Sequence, residues 1–212
     1  MPPNWVVYQE MCLVDASTFL TYNANMRNLV YDKLKSVGTV VFKKFTRDMD
    51  KMDYHKIVRA ASRQAEIIYE YGENDIEFDN IEDPMPFNVE DPVFEIGDRD
   101  YALWYRDMSE ELPKYNGKKV KFKGIIANDP RLPKNSTIIG RHVMTCCVDD
   151  IQYSGMICIF KDENKLKTRD WVTVKGTLKI EPHKLYRNQG PVLYVESTEF
   201  AVPPKQEVAT FY

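Results

Sequence analysis

With 212 residues, 43% hydrophobic and 29% charged, the chain can build packed cores without disulfide staples or a structural metal, and it is long enough for two small domains. A formal net charge of -3 provides no global field for phosphate backbones, so nucleic acid is not an expected partner on charge grounds. No apolar run approaches the roughly 20 residues that cross a bilayer, and Met1-Pro-Pro-Asn-Trp5 lacks the basic and apolar regions of a signal peptide. The expectation is a cytoplasmic protein with no membrane partner and reduced thiols at Cys12, Cys146, Cys147 and Cys158.

The apolar stretch Trp5 to Ala16 predicts a strand running into a helix, with Ser17 or Thr18 as the capping side chain. Asp15 falls at the carboxyl end of that strand, where α/β sheets place ligands, and N-capping is a sufficient account of it. Leu20, Met26, Leu29, Val30 and Leu34 follow helical spacing and predict one amphipathic helix over Phe19 to Ser36, stopped by Gly38. Thr39-Val-Val-Phe42 reads as a strand. Asp50 is placed to cap a helix that carries Tyr54, Ile57, Val58 and Ala61 on one side and His55 on its exposed face, and Glu66-Ile-Ile-Tyr69 resumes a strand pattern. The order β-α-β-α-β implies parallel pairing.

From Gly72 to Asp100 acids cluster, Pro84, Pro86 and Pro92 appear and helical periodicity is lost, which reads as a surface linker. Tyr101 to Leu112 predicts a helix ended by Pro113. Strands follow at Lys118 to Ile126, Thr137 to Cys147, Tyr153 to Phe160, Asp170 to Ile180 and Pro191 to Glu196. With Gly124 and Gly176 at mid-strand positions where a small barrel bends sharply, they suggest an OB-like barrel. The predicted fold class is α+β in two domains: a partial α/β half-sheet over 1–72, a linker over 73–100, an OB-like barrel with its leading helix over 101–201, and a tail over 202–212.

Chemistry is densest in Gly140-Arg-His-Val-Met-Thr-Cys-Cys-Val-Asp-Asp150. Thiolates at Cys146 and Cys147 suit a soft metal or a redox site, with His142 and Asp149 or Asp150 as further ligands. Successive strand residues point to opposite faces, so the two thiols share a metal only if the strand ends or bulges there. Two small buried side chains at a strand end is the equally weighted reading. Arg141 is expected to make a surface ion pair, with Asp149 or Asp150 across a turn. Pro182-His-Lys-Leu-Tyr-Arg187 has the composition of an oligonucleotide-contacting loop, although a solvated hairpin is favoured.

Residues Cys12 to Ile68, with Val14-Asp15-Ala16, Val40-Val41-Phe42 and Ala65-Glu-Ile-Ile68, resemble the later part of the nucleotide-binding domain of CobW/HypB/UreG-type P-loop GTPases. Residues near Tyr101 to Phe200, with Asn116-Gly117-Lys118, Gly124, Arg141, Met144, Cys146-Cys147 and the Trp171 strand, resemble the bacterial YcgQ-like domain. Gly-x-x-x-x-Gly-Lys-Ser/Thr is absent, as is the GTPase family's Cys-x-Cys-Cys, and Lys43-Lys44-Phe45-Thr46 stands where the guanine-reading Asn-Lys-x-Asp belongs. The resemblance implies a non-catalytic C-terminal part of a GTPase that does not bind GTP alone. It also implies a partner, either a separately encoded P-loop-containing N-terminal half or a second copy, and an accessory metallochaperone role in zinc or cobalt homeostasis. A rival reading is an OB-type binding module for single-stranded nucleic acid or a protein partner. A third is a thiol-dependent redox enzyme.

Overall fold

The structure, a computed structural model, describes residue 4, residues 6–145 and residues 148–211. It is a mixed α+β protein with two sheets and four α-helices among the described residues. Two compact units divide it: Met1–Pro84 with Thr145–Cys147, and Met85–Met144 with Val148–Tyr212.

In the first unit β1 (Met11–Asp15), β2 (Thr39–Lys43) and β3 (Glu66–Gly72) are parallel, in register Cys12↔Val40↔Ile67, and β4 (Asp75–Phe78) adds antiparallel to β3. β2 is buried at four of its five positions, as its β-branched run dictates for a strand covered on both faces. The crossover from β1 to β2 is two helices, α1 (Ala16–Asn25) and α2 (Arg27–Leu34), where the apolar spacing predicts one. The break has a local cause. Asn25 turns its side-chain amide onto Thr21 O at 2.8 Å, and Met26 leaves helical geometry at φ -135°. The capping side chain of α1 is Asp15, which accepts from Ser17 N, in keeping with N-capping as the account of Asp15 and in place of Ser17 or Thr18. α3 (Lys51–Ala61) starts where Asp50 accepts from Met52 N at 2.9 Å. Its inner face packs Tyr54 and Val58 onto Phe42, Phe45, Ile67 and Tyr69, and full burial of each such side chain contributes about 1.5–3 kcal/mol.

In the second unit α4 (Tyr101–Glu110) lays Tyr101, Trp104 and Met108 into a core with Phe122, Ile139, Met156, Val174 and Leu193. The sheet contains β5 (Phe94–Glu95), β6 (Lys119–Ala127), β7 (Ser136–Val143), β8 (Gln152–Ile159), β9 (Trp171–Pro182) and β10 (Gln189–Phe200). The 73–100 stretch expected as a linker thus contributes β4 to one sheet and β5 to the other. The order β6-β7-β8-β10-β9 is completed by pairing of β6 with β9, so the hydrogen bonding of five strands closes on itself, with β8 and β10 the one parallel pair in the ring. Closure brings backbones together where Gly124 and Gly176 lie. A Cβ on Gly124 would stand 2.9 Å from Gly140 O, and one on Gly176 would strike Tyr194 O.

Candidate functional site

The Gly140 to Asp150 stretch runs off the end of β7. Alternation turns His142 outward, where its ring meets Tyr153 on β8 at 5.5 Å between centroids, across the paired positions His142↔Tyr153. Tyr153 is anchored by its hydroxyl, which donates to Ile125 O at 2.8 Å. Asp149 and Asp150 occupy a single 3-10 turn, Val148–Asp150. Cys146 and Cys147 lie outside the described residues. Among the described residues no group of three or more His, Cys, Asp or Glu side chains is placed to hold a metal.

Arg141 corrects its expected surface role. The strand turns it to the inward face with Ile139 and Val143, and it is 1% exposed. Its guanidinium donates to the carbonyls of Asp98 (2.5 Å), Gln206 (2.5 Å) and Glu207 (3.0 Å) and lies 5.6 Å from the Tyr101 ring centroid. Burial pulls its pKa below the ordinary guanidinium value, and the charge of Asp98 opposes that fall. The C-terminal segment continues the attachment, with Ala209 N donating to His142 O and Met144 N to Ala209 O. Arg141 therefore joins β7, the 97–100 turn and the 206–209 segment, and its charge is spent on main-chain carbonyls.

The loops holding Arg131 and Lys184 are also tied down. Arg131 forks onto Asp129, with Nε donating at 2.9 Å, and the guanidinium holds the Asp129 carboxyl down to about 2. Lys184 donates to Arg131 O at 2.5 Å. The Tyr186 hydroxyl donates to Pro191 O at 2.6 Å and accepts from Ile157 N, and burial pushes its pKa up. Lys184 and Tyr186 of the 182–187 segment are thus committed to backbone contacts rather than splayed for base stacking.

In the first unit Asp15 receives Lys44 Nζ at 2.6 Å and caps α1, and the Lys44 hydrogen bond, then that of Ser17, holds its carboxyl below the usual range. His55, expected on an exposed face, is fully buried. Its Nδ1 lies 2.7 Å from Asp79 Oδ2 and its Nε2 2.7 Å from Asp83 Oδ2. Asp79 also accepts from the Tyr69 hydroxyl at 2.9 Å, and Arg59 lies 3.6 Å from Asp79 and 3.7 Å from Asp83. Both ring nitrogens are thus held within hydrogen-bond distance of a carboxylate oxygen, which fixes the imidazole at its two ends. No local signal in the sequence marks His55, since its partners Asp79 and Asp83 lie 24 and 28 residues further along the chain.

Residues 73–208 match the family described as the DUF1980 C-terminal domain. A Streptococcus mutans protein named "Putative two-component membrane permease complex subunit" is 27% identical over 92 residues, 43% of this chain and 33% of that protein. The Bacillus subtilis UPF0703 protein YcgQ is 26% identical over 82 residues, 39% of this chain and 29% of that protein. The matched part is about a third of each relative's length. An aspartyl-tRNA synthetase structure from Entamoeba histolytica aligns with a TM-score of 0.28 at 12% identity, over 45% of this chain and 22% of that one. These findings overturn the assignment to CobW/HypB/UreG-type GTPases. The strand, helix and strand that suggested it are a β-branched buried run beside amphipathic spacing, which any βαβ unit shows. The family match spans more than half of the sequence, and the chain belongs to the DUF1980 C-terminal domain family.

Proposed function

We propose that this chain is a binding subunit that attaches to a protein partner on the cytoplasmic side of a membrane permease complex, through an OB-like barrel in its second unit. The observation that carries the reading is the closed pairing β6-β7-β8-β10-β9. OB-type barrels have five strands in a Greek-key path and use the face of their second and third strands for binding. Those strands are β7 and β8 here, and their outer face presents His142 against Tyr153. The partner class is supported by the name of the Streptococcus mutans relative. No helix among the described residues is long and apolar enough to cross a membrane. Binding of single-stranded nucleic acid is the weaker alternative, because Arg131, Lys184 and Tyr186 are engaged within the chain.

The test is co-expression with the candidate membrane subunit from the same genome, followed by purification in detergent. Co-elution is expected, and His142→Glu, at an exposed position, reduces it while leaving the circular dichroism spectrum unchanged. Absence of co-elution, or salt-dependent retardation of a single-stranded oligonucleotide by the chain alone, overturns the reading.

A further inference from the structure

The open edge of the first sheet is an apolar feature that the proposed function leaves unused. β1 is first in the order β1-β2-β3-β4, and among the described residues no strand pairs with its outer side. Sheet edges are normally blunted by lysine, proline or a bulge. Met11-Cys-Leu-Val-Asp15 has none of these. Leu13 is 64% exposed, Met11 51% and Tyr8 fully exposed. Beside the edge lies a groove of about 340 Å³ lined by Cys12, Val14, Phe19, Tyr22, Leu29 and Val30, among others.

Main-chain geometry determines what the edge offers. Glu10 O accepts from Gly38 N and Thr39 N, toward β2. By strand alternation the N–H and C=O groups of Cys12 and Val14 face β2 as well, and those of Met11, Leu13 and Asp15 face outward. We infer that this edge binds the same edge of a second copy, β1 against β1 antiparallel about a twofold axis through Leu13. Leu13 then exchanges both hydrogen bonds with the partner's Leu13, and Met11 lies opposite the partner's Asp15.

Charge selects a second copy as the occupant. Duplicating a charged edge brings like charges together, yet the five residues of β1 carry one charge, Asp15, already paired with Lys44 at 2.6 Å. In the antiparallel register the two Asp15 positions are four residues apart, roughly 13 Å at the strand rise, which exceeds the Debye length of about 8 Å at physiological ionic strength. An axis perpendicular to the sheet keeps both helix layers on one side. The partner's Cys12 and Val14 then cover the groove, and Tyr22 and Leu29 of the two copies close over the seam.

The experiment uses the full chain. Sedimentation equilibrium is expected to return twice the chain mass, and Leu13→Lys to return the chain mass with an unchanged circular dichroism spectrum. In a Cys12→Ser background, Leu13→Cys is expected to form a 13-to-13 disulfide under mild oxidation, identified by peptide mapping, because antiparallel partners stand within disulfide range. A monomeric wild-type chain overturns the proposal, as does a Leu13→Lys protein that stays dimeric. A dimer in which Leu13→Cys fails to cross-link overturns the pairing about Leu13.

Discussion

His55 and Arg141 illustrate two ways of burying a nitrogen-bearing side chain, one against carboxylates and one against main-chain carbonyls, and their replacement is expected to differ in kind. His55→Leu leaves Asp79, which is 1% exposed at its side chain, without its shortest hydrogen bond. Losing a buried hydrogen-bond partner costs about 1–3 kcal/mol, and a loss of stability in that range is expected in urea unfolding, because Tyr69 and Arg59 still reach Asp79. Asp83→Asn removes a carboxylate that is 54% exposed and is expected to cost less than about 1 kcal/mol. Arg141→Ala strands three carbonyls rather than a carboxylate. At about 1–3 kcal/mol for a lost buried partner, a drop of roughly 3 kcal/mol is expected, and Arg141→Lys recovers part of it because one ammonium reaches fewer of the three. Equal effects of His55→Leu and Asp83→Asn would contradict the assignment. At this scale the sequence was legible where chemistry is local, as at Asp50, whose cap partner is two residues away. It was not legible for His55, whose partners lie 24 and 28 residues on, or for Arg141, whose partners lie 43 residues back and 65 on. Nothing in the neighbouring residues signals that these side chains are buried.

Strands were the most readable elements, since period-two alternation across Lys119–Ala127 and Trp171–Pro182 is recorded in burial patterns that alternate in turn. Pairing was readable only through glycine, because a mid-strand glycine reports that another backbone comes close. Gly176→Ala tests this directly. The added methyl meets Tyr194 O, a main-chain atom in the β9–β10 ladder, so β10 must shift, at a cost of about 1–3 kcal/mol for overpacking. Gly72→Ala, where the new Cβ meets nothing within 4 Å, is the control and is expected to be nearly neutral in thermal unfolding. The division of α1 from α2 escaped the apolar spacing because periodicity registers which face is buried, while Asn25 acts on the backbone of its own turn.

For the molecule as a whole, the second unit carries an excess of buried neutral acids. Burial raises the pKa values of Tyr101, Tyr105, Tyr153, Tyr186 and the Cys158 thiol above their ordinary values of 10.0 and 9.0. The unfolded chain therefore releases these protons at lower pH than the folded chain does. A raised folded-state value contributes stability that is complete below the unfolded value and is lost as pH rises. The urea midpoint is accordingly expected to stay level up to about pH 9 and to fall above it, and a midpoint that holds steady to pH 11 would contradict this. Fold class was readable at this scale because two kinds of periodicity occupy two halves of the chain. Kinship of the first half was not, because its pattern is common to βαβ units in general.

The attachment of residues 206–209 to β7 also bears on how the protein is made. During synthesis β7 leaves the ribosome some 65 residues ahead of Gln206, the carbonyl that Arg141 needs. Until Gln206 and Glu207 emerge, that guanidinium lacks two of its three carbonyl partners. The buried network of the first unit spans less chain, since His55, Asp79 and Asp83 emerge within 28 residues of one another. That network is available early on the nascent chain, while the attachment of Arg141 waits for translation to pass Glu207.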